Sequence, residues 1–321
     1  MKKSTVVCII VASSLILAGL LIFSTVMSIL KWDFTKLSTT KLETNEHVID
    51  EDFDSICIDT DTADIEFVMS EDEKTSVVCI EYVNERHAVA VKDGALTIEL
   101  ENTRKWYEHI GINFGSTKIK VYLPESEYTS LLIKMHTSDV KIPNDFIFEN
   151  VDILGSTGDV SCFASACELI KIKTSTGNIE LEGISSHKLD LTVTTGKVNL
   201  SNVECEGDIE INVSTGKSYL ENVKCKSLLS KGDTGDINLI NVVATEMFSI
   251  ERNTGDVNFE RCDAFGIYVE TDTGDVDASF LTDKVVIYET DTGDVSIPKS
   301  TAGGRCEIST DTGDITVTIL N

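Results

Sequence analysis

Positive charge is scarce in this chain. Its 321 residues carry 27 Lys plus Arg against 54 Asp plus Glu, a formal net charge of −27. Nucleic-acid recognition rests on Lys and Arg neutralising phosphates, so this surface repels DNA and RNA. Docking along an anionic lipid surface is disfavoured for the same reason, whereas a cationic peptide or metal ions would be attracted. Clustered chemistry is missing too. No CxxC or CxxH pair occurs among the nine cysteines, which leaves zinc without a sequence signal. His47, His87, His109, His136 and His187 form no compact motif, and the GGxGxD calcium repeat is absent. A carbohydrate-active enzyme on stacked β-coils needs an acid pair at a defined separation inside a cleft. Here acids recur at every repeat and no long loops are inserted to wall a cleft, so no catalytic residue is nominated and no enzyme activity is expected.

What the chain does contain is a repeat. TDTGDV at 271–276 returns as TDTGDV at 290–295 and as TDTGDI at 310–315. The central position is occupied by Ser138, Gly158, Gly177, Gly196, Gly216, Gly235, Gly255, Gly274, Gly293 and Gly313, always 19 or 20 residues apart. So strict a period marks a solenoid whose coils stack on their neighbours. Between glycines the apolar residues keep their places, as in Val198, Leu200, Val203, Cys205, Ile209, Ile211 and Val213. Alternation over three to five residues reads as short half-buried strands, three to a coil, with a Val, Ile and Leu core. The expected fold is all-β, a single-stranded parallel β-solenoid over 138–321. Ten coils at strand spacing would make a rod of about 50 Å. The glycines serve as tight corners, and the flanking Thr and Asp bond local backbone there.

Residues 51–137 are less regular. DTDTADIEF at 59–67 carries the motif with Ala63 at the glycine position, and strand-like segments follow at 76–83, 95–100, 116–124 and 130–143. They read as longer, degenerate coils that begin the same solenoid, or as a separate small β domain; Pro124 and Pro143 mark turns in either case. The segment 101–116 interrupts the pattern with Trp106, Tyr107, His109, Ile110 and Phe114. It serves either as a loop covering the core or as an exposed aromatic contact for a partner.

The N-terminus carries an address. After Lys2 and Lys3, residues 4–30 contain no charge, more than a membrane-spanning helix needs. The stretch is longer than a signal-peptide core and lacks a fitting cleavage site, so residues 1–31 read as a short cytoplasmic start plus an uncleaved single-pass anchor. The basic start places the N-terminus inside and the C-terminal body outside the cell membrane. Residues 32–50 form the juxtamembrane linker.

Three further expectations concern the body. Cys167, Cys205 and Cys225 each fall nine residues after a repeat glycine, where Ala244, Ala264 and Ala302 also fall. That position wants a small inward side chain, which free Cys supplies, although a Cys205–Cys225 bridge between adjacent coils is the alternative. Asp236, Asp256, Asp275, Asp294 and Asp314 form one acidic column along an edge, with Asp233, Asn253, Asp272, Asp291 and Asp311 in a second. These columns are either hydrated structural edges or a weak calcium or cation site. Finally, the chain stops eight residues after Gly313 with no capping helix, so the C-terminal end of the solenoid either is shielded locally or pairs with another copy.

The anchor, the WYxxxGxxFG-like segment at 106–115 and the run of TGD corners resemble the bacterial DUF4097 family, over most of residues 50–321. That resemblance implies a β-strand-repeat fold on a cell-envelope protein, with members labelled as candidate adhesins and some relatives tied to envelope stress. It implies no enzyme activity and no catalytic residues. The expected function is therefore a membrane-anchored extracytoplasmic scaffold for binding, adhesion or envelope sensing, its partner an envelope protein or a cationic peptide. Ala63, Ser138, Lys197 and Lys217 depart from the motif.

Overall fold

The computed structural model describes residues 3–37, 40–102 and 115–320. It opens with an α-helix, Lys3–Ile29, and a short 3-10 turn, Phe34–Leu37; everything after is β-strand and turn. Within the helix the stretch Thr5–Ile29, of mean hydropathy 2.9, is long and apolar enough to cross a membrane. The Ser14 and Thr25 hydroxyls donate back to the carbonyls of Ile10 and Leu21, so these polar groups need no water.

The repeats form a parallel β-solenoid. In the coil after Gly196, strand Val198–Cys205 bends at Glu206 and Gly207 and returns as Asp208–Thr215 to the next glycine. A second break falls inside the first strand, at Asn202, whose φ is 54°. Three straight runs per coil result. Their alternate residues point inward, and like stacks on like: Ile133, Ile153, Ile172, Leu191 and Ile211 form one in-register column. All five are essentially fully buried. Such columns are why a 19- or 20-residue period suffices, because each coil buries its apolar residues only against the coils above and below.

The coils do not follow chain order at either end. Strand Ser55–Thr60 lies between Ala95–Asn102 and Glu127–Thr137, parallel to both, so the coil cornered at Ala63 is the second stratum and not the first. The outer face of the first stratum is closed by antiparallel strands. Glu85–Lys92 covers Ala95–Asn102, Thr75–Tyr82 covers Lys118–Leu123, and Leu42–Ile49 adds to Thr75–Tyr82. This corrects the expectation of degenerate coils throughout 51–137. The chain reverses sharply at Val83–Asn84 and again at Asp93–Gly94, where φ is 51° and 80°. An Asp-Gly pair with both φ positive is the two-residue hairpin turn, and a hairpin forces antiparallel pairing.

At the other end the last coil of the chain is intercalated. Strand Gly304–Thr312 sits between Gly266–Thr273 and Lys284–Thr292. The glycine corners therefore stack in the order Gly255, Gly274, Gly313, Gly293. The chain terminus is not the end of the stack: the terminal stratum is Lys284–Thr292 with Val295–Ser296, each paired on one side only among the described residues.

Candidate functional site

The corners are explained by contact with the coil before. At Gly235 φ is 127°, and a Cβ placed there would lie 1.8 Å from the carbonyl oxygen of Gly216. At Gly216 the same clash, with the Gly196 oxygen, would be 1.6 Å. Backbone is approached so closely that no side chain fits, whatever φ it could adopt. The aspartate that follows has its own task. One carboxylate oxygen accepts the backbone N–H of the equivalent residue in the next stratum: Asp139 donates to Asp64, Asp159 to Asp139, Asp256 to Asp236, Asp275 to Asp256, Asp314 to Asp275 and Asp294 to Asp314, at 2.7 to 3.2 Å. A TGD corner is thus a stacking device, glycine for the approach and aspartate for the clip. Where Lys217 replaces the aspartate, its ammonium sits 2.7 Å from Asp236 and holds that carboxyl below its ordinary range. In the second column Asn253 reaches Asp233 at 3.5 Å, while Asp272, Asp291 and Asp311 are exposed.

A second ladder escaped the sequence reading. Asn202, Asn222 and Asn241 hold φ of 54°, 55° and 53° in successive coils; the amides of Asn222 and Asn241 each donate to the amide oxygen before them at 3.1 Å, and the Asn202 amide starts the row on the Ser201 hydroxyl. Arg261, with φ 55°, ends the row by donating to Asn241. Asn tolerates the left-handed conformation better than other side-chain-bearing residues, and its amide can both give and receive. The signal was available as Asn at 19- and 20-residue spacing.

The antiparallel cap holds a polar cluster that the sequence reading also missed. Alternation along Thr75–Tyr82 turns Val77, Cys79 and Glu81 inward, all at 1% exposure or less, and the hairpin brings His87 opposite at 5%. Glu81 accepts from the His87 backbone N–H and faces its Nδ1, both at 2.7 Å, and accepts from the Asn45 amide at 2.7 Å. The other ring nitrogen, Nε2, lies 3.0 Å from the Thr60 hydroxyl. Hydroxyl, imidazole and carboxylate stand in the order of a catalytic triad. Thr60, however, is 1% exposed, so a substrate has no approach to it. The Cys79 thiol completes the cluster, pushed up to about 12 by burial and by the Glu81 charge. Four separate strands supply these groups, which is why no motif announced them.

All nine cysteines are free. Cys205 and Cys225 are buried, and burial pushes the Cys225 thiol up to about 12. Cys167 departs from the expectation and is exposed, because the strand shifts register between Ala166 and Leu169. Ala302 is exposed as well, in the crossover to the intercalated coil. The aromatic candidates Trp106, Tyr107, His109, Ile110 and Phe114 lie outside the described residues.

The far end of the stack presents core to solvent. Val286 and Tyr288 are in register with buried Cys306 and Ile308, so they occupy inward positions. Among the described residues no further coil pairs beyond this strand; Val286 is half-buried and Tyr288 is 49% exposed. Glu289, Asp291 and Asp294 stand beside this edge.

The sequence matches the family model described as Toastrack DUF4097 twice, over residues 53–213 and 205–321. The chain belongs to the DUF4097 family. Among curated proteins, none matches it. A DUF4097 fold of this kind is similar to crystal structures of a candidate adhesin from Bacteroides fragilis (20% identity, 87% of this chain and 97% of that one, TM-score 0.46) and of a candidate adhesin from Parabacteroides distasonis (14%, 85% and 98%, 0.45). A candidate lipid-binding protein from Parabacteroides distasonis is similar at 17% identity over 75% and 95% of the two chains, with a TM-score of 0.44. The two DUF4097 matches meet in the coil of Gly196, within the most regular part of the stack.

Proposed function

We propose that this protein is a membrane-anchored, extracytoplasmic scaffold that binds a partner at the cell envelope and catalyses nothing. The observation that carries the reading is the asymmetry of the stack. One end is closed by the hairpin and strand Leu42–Ile49, and the apolar helix joins the chain there; the other end leaves Val286 half-buried, Tyr288 exposed and a strand edge unpaired among the described residues. An anchor at the capped end holds the open end away from the bilayer. Lys2 and Lys3 ahead of the apolar stretch favour an outward-facing body.

The open edge suits an extended segment that adds as a further strand, with backbone bonds giving affinity and alternate side chains giving choice. Glu289, Asp291 and Asp294 make a cationic segment the matching one. The test uses full-length protein in nanodiscs and a fluorescent peptide that alternates Val with Lys. Binding is expected to weaken with salt and to be lost in Val286→Asp with Tyr288→Asp, compared at a temperature where the variant is folded, since Val286 is half-buried against the core. Binding that ignores both salt and these substitutions overturns the open-end site. A parallel triple variant, Trp106→Ala, Tyr107→Ala and Phe114→Ala, asks whether the aromatic segment is the contact instead. The unpaired edge also favours a second reading, self-assembly through the same end, which light scattering on the same samples decides by the mass of the particle.

A further inference from the structure

We propose that Cys79, Glu81 and His87 form a site for a divalent transition-metal ion of the zinc class, stapling the antiparallel cap. One ligand atom from each residue lies within 4.8 Å of the others, and all three residues are buried. Sulfur, nitrogen and oxygen donors in one place are the set that zinc-class ions take, at roughly 2.0 to 2.3 Å from the ion. The neighbours are arranged as a supporting shell. Asn45 holds the far oxygen of Glu81, and the Thr60 hydroxyl faces the far nitrogen of His87, which leaves Nδ1 towards Glu81.

Two observations point to a missing cation. The Cys79 thiol is fully buried and takes part in no hydrogen bond among the described residues. Glu81 is 1% exposed, and among the described residues its side chain meets Asn45 and His87 but no Lys or Arg. His87 is its one basic neighbour among the described residues, and a metal ion would add positive charge beside that carboxylate. A doubly charged ion held by a thiolate, a carboxylate and a neutral imidazole leaves no net charge in the cap. Binding breaks the Cys79 S–H bond, forms a metal–sulfur bond and sends that proton to solvent. Bound through Nδ1, the His87 ring carries its proton on Nε2, which donates a hydrogen bond to the Thr60 hydroxyl. The three donor atoms and their buried surroundings, not any charge state of the free protein, carry the site.

The test titrates cobalt(II) into reduced, tag-free full-length protein in detergent. The expected result is one equivalent bound, with a near-ultraviolet thiolate charge-transfer band and the strong visible bands of a tetrahedral ion, both displaced by zinc. Cys79→Ser and His87→Gln should abolish the band, while Cys167→Ser, which removes the exposed thiol, should keep it. No band in the wild-type protein overturns the site, as does a band that survives Cys79→Ser. Should the variants fail to fold, alkylation of the wild-type protein in moderate urea decides: zinc-dependent protection of Cys79 supports the site, and equal labelling with and without zinc overturns it.

Discussion

At the scale of single residues, two glycines with positive φ separate strain from space. Gly94 has φ of 80° with nothing within 4 Å of an added Cβ, so Gly94→Ala carries only the left-handed penalty, about 1 kcal/mol. Gly216→Ala adds a 1.6 Å clash with backbone that cannot yield without moving a whole coil. Its expected loss is about 3 kcal/mol or more, read as the difference in urea midpoints between the two variants. Arg252 is the opposite case. It is 4% exposed, its guanidinium reaches the Ser230 hydroxyl at 2.8 Å, its Nε finds no partner, and burial pushes it down to about 10. It makes no ion pair among the described residues. Being charged in both folded and unfolded chains at neutral pH, it pays desolvation on folding with little return. Arg252→Met is therefore expected to leave the melting temperature unchanged or to raise it, by up to about 1 kcal/mol of stability.

At the scale of the element, the corner is held by carboxylates, and acid should loosen it. Asp236 is the corner with a resolved shift: the hydrogen bond and charge of Lys217 keep its folded carboxyl below the ordinary 3.8. Its stabilisation is then complete above the unfolded value and is lost as pH falls through the lower, folded one. Both side chains are partly exposed, 60% for Lys217 and 29% for Asp236, so the contribution is at most about 0.5 kcal/mol. Lys217→Met should lower stability by that amount at pH values above the ordinary carboxylate range and leave the most acid end unchanged, which flattens the acid limb of the stability curve. The asparagine ladder predicts a larger effect without any pH dependence. Asn222→Leu removes one rung on each side and puts a branched side chain at φ 55°, an expected loss of about 2 kcal/mol by chemical denaturation.

At the scale of the whole molecule, the intercalated last coil changes how the solenoid fails. In a stack that follows chain order, removing the final coil costs that coil alone. Here strand Gly304–Thr312 is the sole neighbour of Lys284–Thr292 among the described residues. Deleting residues 304–321 should expose amides 284–296 to rapid hydrogen exchange as well, while the coils before Gly255 keep their protection. Protection retained at 284–296 would mean that this strand can re-pair directly with Gly266–Thr273. An ion pair opposes that re-pairing geometry: the Lys284 ammonium, 2% exposed, bridges to Asp263 at 2.5 Å and to Thr282 at 2.6 Å. It passes beside Gly304, where a Cβ would lie 2.3 Å from the Phe265 carbonyl and 3.5 Å from the lysine chain. The missing side chain is what lets the terminal coil reach past the intercalated one.

The sequence by itself determined the period, the parallel all-β coil, the corner glycines, the acidic surface and the apolar N-terminal helix. Each is a local property repeated at fixed spacing, so Gly235 or Ile211 can be read from its neighbours within one coil. Only the tertiary structure decided which coil meets which. TDTGDV at 271–276 and at 290–295 is the same hexapeptide, and TDTGDI at 310–315 differs by one methylene. Any of these corners can stack on any other. The order is set instead by contacts that no period encodes, such as Lys284 with Asp263, and by the Asp93–Gly94 turn that folds the hairpin over the first stratum. The same holds for Thr60, Cys79, Glu81 and His87, which lie up to 27 residues apart and meet because a hairpin closes over a coil. Tyr288 shows the limit most plainly. In sequence it occupies a core position like Ile308, and only its place on the last stratum leaves it facing water.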